Sequence, residues 1–76
     1  MVGMSKSIHT EAQKLLVNRL REARLKSALT QVEVAEKLGY KQSSISKIEA
    51  GEIRLDVVEL QRFAKLYGKS IGHFIK

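Results

Sequence analysis

Two short stretches decide how this chain folds: Thr30-Gln31-Val32-Glu33-Val34-Ala35-Glu36-Lys37-Leu38-Gly39 and, after Tyr40 and Lys41, Gln42-Ser43-Ser44-Ile45-Ser46-Lys47-Ile48-Glu49-Ala50-Gly51. Thr30 followed by Glu33 is a capping box, in which the hydroxyl and the carboxylate each satisfy a backbone N–H orphaned at a helix start. A helix therefore begins at Gln31, turns Val34, Ala35 and Leu38 inward, and stops at Gly39, the residue best able to take the left-handed conformation that ends a helix. Ile45 and Ile48 give the segment Gln42 to Ala50 one apolar side, and Gly51 closes it. Two short helices joined by a turn of about three residues form a helix-turn-helix unit.

Working outward, apolar residues recur at three and four spacing almost throughout, there is no proline, and no stretch alternates as a strand would. Ile8, Ala12, Leu15, Leu16, Leu20 and Ala23 predict an amphipathic helix from about Ser7 to Ser27. Ser7 and Thr10 are both open as its cap. Asp56 with Glu59 repeats the capping box, and Val57, Leu60, Phe63, Ala64 and Tyr67 predict the inward face of a fourth helix that Gly68 ends. Ser70 caps a last turn carrying Ile71, Phe74 and Ile75, which either complete the core or face a second copy of the chain. The expected fold is all-α, a compact five-helix domain over residues 7–76 with residues 1–6 as a loose arm.

The 76 residues suffice for one domain. A net charge of +6 favours an anionic partner such as double-stranded DNA. Without cysteine, disulfide scaffolds and Cys-based zinc sites are excluded, and packing alone must hold the fold. No membrane-spanning stretch and no secretory signal is visible, so the expected location is the cytoplasm. Catalysis is not expected. His9 and His73 are far apart, Ser43, Ser44 and Ser46 have no neighbouring base, and Gly68-Lys69-Ser70 lacks the glycine and preceding strand of a phosphate-binding loop. No cofactor or metal is implied.

With Ile45 and Ile48 inward, the helical wheel turns Gln42, Ser43, Ser46 and Lys47 outward. An amide, hydroxyls and an ammonium are groups that read base edges, glutamine pairing with adenine and lysine donating to guanine. The two stretches, the closing Ile48-Glu49-Ala50-Gly51 and the later Phe63-Ala64-Lys65-Leu66-Tyr67-Gly68-Lys69-Ser70 stand in the order that marks the Cro and phage-repressor (XRE-type) helix-turn-helix family. The chain resembles that family over about residues 11–75. The resemblance implies a dimer on a pseudo-palindromic operator, with Gln42, Ser43 and Lys47 at base-reading positions. It implies phosphate contacts at Gln31, Ser44 and Arg54, the first agreeing with the attraction of helix amino termini for anions. It also implies a structural salt bridge between Arg24 and Glu49.

Two departures bear on function. Lys41 stands where the family commonly has a capping Ser or Thr; it cannot accept a backbone hydrogen bond, which leaves either a looser helix start or the cap to Gln42 or Ser43, and its ammonium to a phosphate. Within residues 31–51, Lys37, Lys41 and Lys47 balance Glu33, Glu36 and Glu49, so Lys6 in the arm and Arg54 after the recognition helix are expected to help attract DNA. The function expected is a sequence-specific transcriptional regulator, a repressor that blocks polymerase. The alternatives are an antitoxin or restriction-system controller that also binds a toxin or other partner protein, and a protein-interaction module that reads no DNA.

Overall fold

The computed structural model describes residues 10–75 as five helices: α1 (Glu11–Lys26), α2 (Gln31–Leu38), α3 (Gln42–Glu49), α4 (Val57–Leu66) and α5 (Gly72–Ile75). Ser7, Ile8 and Lys6 lie outside the described residues. The chain starts α1 at Glu11 because Thr10 is extended and its hydroxyl accepts from the Gln13 backbone N–H at 3.2 Å. Of the two caps left open, Thr10 is the one used. Gln13, Leu20, Ala23 and Arg24 are buried on α1, whereas Ala12, expected inside, is exposed.

The capping boxes of α2 and α4 are both complete, with Thr30 and Asp56 accepting from the N–H groups of Glu33 and Glu59 and receiving their carboxylates in return. The backbone hydrogen bond to Thr30 holds the Glu33 carboxyl below its usual range.

At the other ends, α1 to α4 close with one device. Leu29, Tyr40, Glu52 and Lys69 each donate a backbone N–H to a carbonyl five residues back, on Arg24, Ala35, Lys47 and Ala64. The residue just before each donor takes positive φ: Gly39 at 78°, Gly51 at 80°, Gly68 at 69° and, alone among non-glycines described, Ala28 at 57°.

The core draws on all five helices, with Leu20, Val34, Ile45, Phe63 and Phe74 each at 2% exposure or less. Helices α2 and α3 pack on each other, and α1 holds both α3 and α5. Arg19 on α1 donates to the His73 carbonyl, which fastens α5 in place. Phe74 is therefore core and not free for a dimer interface; Ile71 packs against the same core, and only Ile75 of the C-terminal trio is exposed. Leu60, Phe63, Ala64 and Tyr67 are buried as expected, whereas Val57, the first residue of α4, is 65% exposed.

Tyr40, in the turn between α2 and α3, ties the pair to α4. Its ring meets Phe63 edge-on at 5.6 Å and its hydroxyl lies 3.4 Å from the Glu59 carboxylate. Arg62 sits 5.8 Å from the Tyr40 ring and donates to the Leu38 carbonyl at 2.6 Å, satisfying the last turn of α2.

Candidate nucleic-acid interface

Helix α3 is two turns long, and its position follows from two residues. Ile45 and Ile48 are 0% and 3% exposed, so the opposite face is committed to solvent. Gln42, Ser43, Ser46 and Lys47 all lie exposed on it, and Ser44 is half-buried at its edge. The residue preceding the helix is Lys41, extended at φ −82° and ψ 150° and making no side-chain cap bond. Gln42 and Ser43 are the first two helical residues, so neither takes the cap, and of the open alternatives the start without a side-chain cap is the one realised. Lys41 itself is exposed beside them, and Arg54 is exposed in the segment between α3 and α4.

Four polar side chains from three helices meet at one edge of this face. Arg24 on α1 donates from Nε to Glu49 Oε2 at 2.8 Å and from Nη2 to Oε1 at 3.1 Å, and its Nη1 reaches the Leu29 carbonyl at 3.0 Å. The paired Glu49 raises the Arg24 pKa above its ordinary value, chiefly through those hydrogen bonds. Gln31, at the start of α2, donates from Nε2 to the same Glu49 Oε1 at 3.2 Å. Gln42, at the start of α3, donates from Nε2 to Gln31 Oε1 at 2.8 Å. The resemblance paired Arg24 with Glu49 and gave Gln31 and Gln42 separate DNA contacts; the structure links all four. No spacing rule finds such a chain, since its links span 25, 18 and 11 residues.

A shallow cleft of about 260 Å³ beside the network is bordered by Arg21, Arg24, Gln31, Ser46, Glu49 and Ala50. Arg21 is exposed and adds a cation next to the recognition helix that the helix-turn-helix motif does not contain. It lies on the exposed side of α1, where the sequence carries no signal for a shared surface. Among the described residues no cluster of His, Asp or Glu suits a metal ion, and no helix is long and apolar enough to cross a membrane.

No curated protein and no solved structure shows a significant match to the chain. A family model described as helix-turn-helix (HTH_3) matches residues 20–74, from the second half of α1 into α5. The chain thus belongs to the Cro and phage-repressor (XRE-type) helix-turn-helix family of DNA-binding regulators.

Proposed function

We propose that the protein is a sequence-specific repressor that occupies a pseudo-palindromic operator as a homodimer. Gln42, Ser43, Ser46 and Lys47 read base edges, and Gln31, Lys41, Ser44, Arg54 and Lys6 contact or attract phosphates. The observation that carries this reading is the division of α3: two isoleucines sealed in the core and every large outward group polar. A helix seated so firmly presents its outer face with little conformational freedom, which suits insertion into a major groove. Arg21 joins the phosphate-contacting set, since it borders the cleft that reaches Ser46 and Ala50.

A dimer follows from the geometry of DNA. Two recognition helices entering successive major grooves lie roughly 34 Å apart, and only a fixed pair holds that separation. With Phe74 in the core, the apolar surface offered to a second copy includes Ile53, Val57 and Val58, exposed at 39%, 65% and 63%, around the connection from α3 to α4.

Selection of bound duplexes from a random pool at physiological salt tests the reading, because that salt suppresses sequence-independent phosphate attraction. The expected result is enrichment of inverted half-sites centred about 10 base pairs apart. The paired change Gln42→Ala with Lys47→Ala should remove the preference while leaving the fold intact. Binding that vanishes with salt, without enrichment, refutes operator reading and points to a protein-interaction module. An enriched site bound only in the presence of a partner protein points to an antitoxin or controller.

A further inference from the structure

We propose that Leu38, Arg62, Lys65 and Leu66 form a second binding surface, apart from the recognition helix, that docks an acidic amphipathic segment of a partner protein. The charge of the chain points there first. Residues 31–51 are neutral as a set and no acid follows Glu59, yet residues 60–76 contain Arg62, Lys65, Lys69 and Lys76. This cationic stretch stands outside the helix-turn-helix, so base reading by α3 does not account for it.

Arg62 and Lys65 lie one turn apart on α4 and, with Leu66 beside them, line an open cleft of about 370 Å³ against Leu38, the last residue of α2. Leu38 is buried and Leu66 half-buried, whereas Arg62 and Lys65 are exposed, so the leucines make the floor and the cations the rim. Arg62 is held ready. It donates to the Leu38 carbonyl at 2.6 Å, and its guanidinium sits 5.8 Å from the Tyr40 ring. A guanidinium has five N–H donors, so the bond that fixes it leaves others to grip a carboxylate. A side chain fixed in advance also loses little freedom when a partner arrives. The Lys65 ammonium meets no acid among the described residues. Glu59, one turn before Arg62, has its carboxylate engaged by the Asp56 N–H at 3.2 Å and close to the Tyr40 hydroxyl at 3.4 Å.

The chemistry of the cleft selects its occupant. A phosphate is satisfied by cations and N–H groups and gains nothing from two leucines, whereas an apolar side chain flanked by carboxylates uses both floor and rim. Four residues enclose too little to hold a small molecule by burial, so affinity has to come from contact beyond the cleft, as a protein segment supplies. An amphipathic helix sets acids three or four positions from an apolar anchor, the spacing this surface requires. DNA and the partner are held at different places. Helix α2 starts at Gln31, which Gln42 of the recognition helix bonds, and runs roughly 10 Å to Leu38. The cleft shares no residue with the one beside Glu49.

The test selects peptides from a random displayed library on the immobilised full chain and titrates an enriched synthetic peptide into isotope-labelled full chain. Enriched sequences should combine Asp or Glu with a large apolar residue at helical spacing, and amide shifts should gather at Leu38, Arg62, Lys65 and Leu66. Lys65→Glu should weaken binding about tenfold, one ion pair being replaced by one repulsion. The peptide with its facing acid changed to Lys should bind Lys65→Glu more tightly than it binds the unaltered chain. Adding duplex DNA should leave the peptide bound.

Shifts gathered at Gln42 to Lys47, or release of the peptide by DNA, overturn the proposal, because the peptide would then be imitating DNA on α3. Enrichment of acids without an apolar residue, with binding lost at physiological salt, overturns it too and marks a nucleic-acid backbone as what these cations attract. So does an absence of enriched peptides, or binding unchanged in Lys65→Glu. None of these outcomes bears on base reading by α3, which the selection of duplexes tests by itself.

Discussion

Arg24 and Glu49 tie α1 to the end of α3 through a two-bonded ion pair. Removing one member of a buried, hydrogen-bonded pair leaves the other charge without compensation, at a cost of roughly 3 kcal/mol or more. Arg24→Ala also abandons the Leu29 carbonyl, which Arg24 reaches at 3.0 Å where α1 gives way to α2. In a domain of this size each kcal/mol moves Tm by about 4–8 °C, so calorimetry should record a fall of about 10 °C or more. An unchanged Tm would show that the pair contributes nothing to the fold. Legibility at this scale was uneven. The outward residues of α3 follow from the wheel, because burial of Ile45 and Ile48 forces their neighbours out. The bond from Gln42 to Gln31 does not, because it depends on where two helix starts come to rest.

Helix ends are where single substitutions should act most cleanly. Ala28 occupies the left-handed position that glycine fills after α2, α3 and α4, at φ 57°. The Cβ there clashes with the following carbonyl, a strain on the order of 1 kcal/mol. Ala28→Gly relieves it against some loss of unfolded-state restriction, for an expected gain of about 0.5–1 kcal/mol in chemical denaturation. The turn was hard to read from sequence for the same reason: its position has no glycine to mark it. Lys41 is the complementary case. It precedes α3 without a cap bond, so Lys41→Asp should stabilise by about 1 kcal/mol through a new acceptor at the helix start. The same change places an anion where a phosphate is proposed, and DNA affinity should fall while Tm rises. A parallel rise in both would show that Lys41 makes no phosphate contact.

Across the whole molecule, Tyr67 reports on the integrity of the core. Burial, with the Glu49 charge nearby, pushes its phenol up to about 12 from an ordinary value near 10. The folded state therefore keeps a proton that the unfolded chain releases as pH rises past about 10. Stability from this group is full below that pH and is lost between it and about 12, so urea midpoints should fall across that window. Tyr67→Phe, which has no proton to release, should flatten the decline. The assembly also has a single-measurement test. If Ile53, Val57 and Val58 form the dimer surface, Val57→Glu with Val58→Glu should give a monomer in sedimentation, unchanged in helicity since both side chains are exposed. A dimer that survives both changes places the interface elsewhere.

What the sequence by itself determined is everything settled within a few residues: the capping boxes at Thr30 and Asp56, the stops at Gly39 and Gly68, and the polar face of α3. A cap or a left-handed turn is satisfied by partners three to five positions away, so its residues suffice to specify it. The tertiary structure alone decided which apolar side chains are core. The sequence turns Val57 inward and leaves Phe74 open between the core and a second copy, yet Val57 is 65% exposed and Phe74 0%, because burial depends on which helix lies opposite. It also decided that Arg24, Glu49, Gln31 and Gln42 form one chain of hydrogen bonds, since only the packing of α1, α2 and α3 brings groups so distant in sequence to contact.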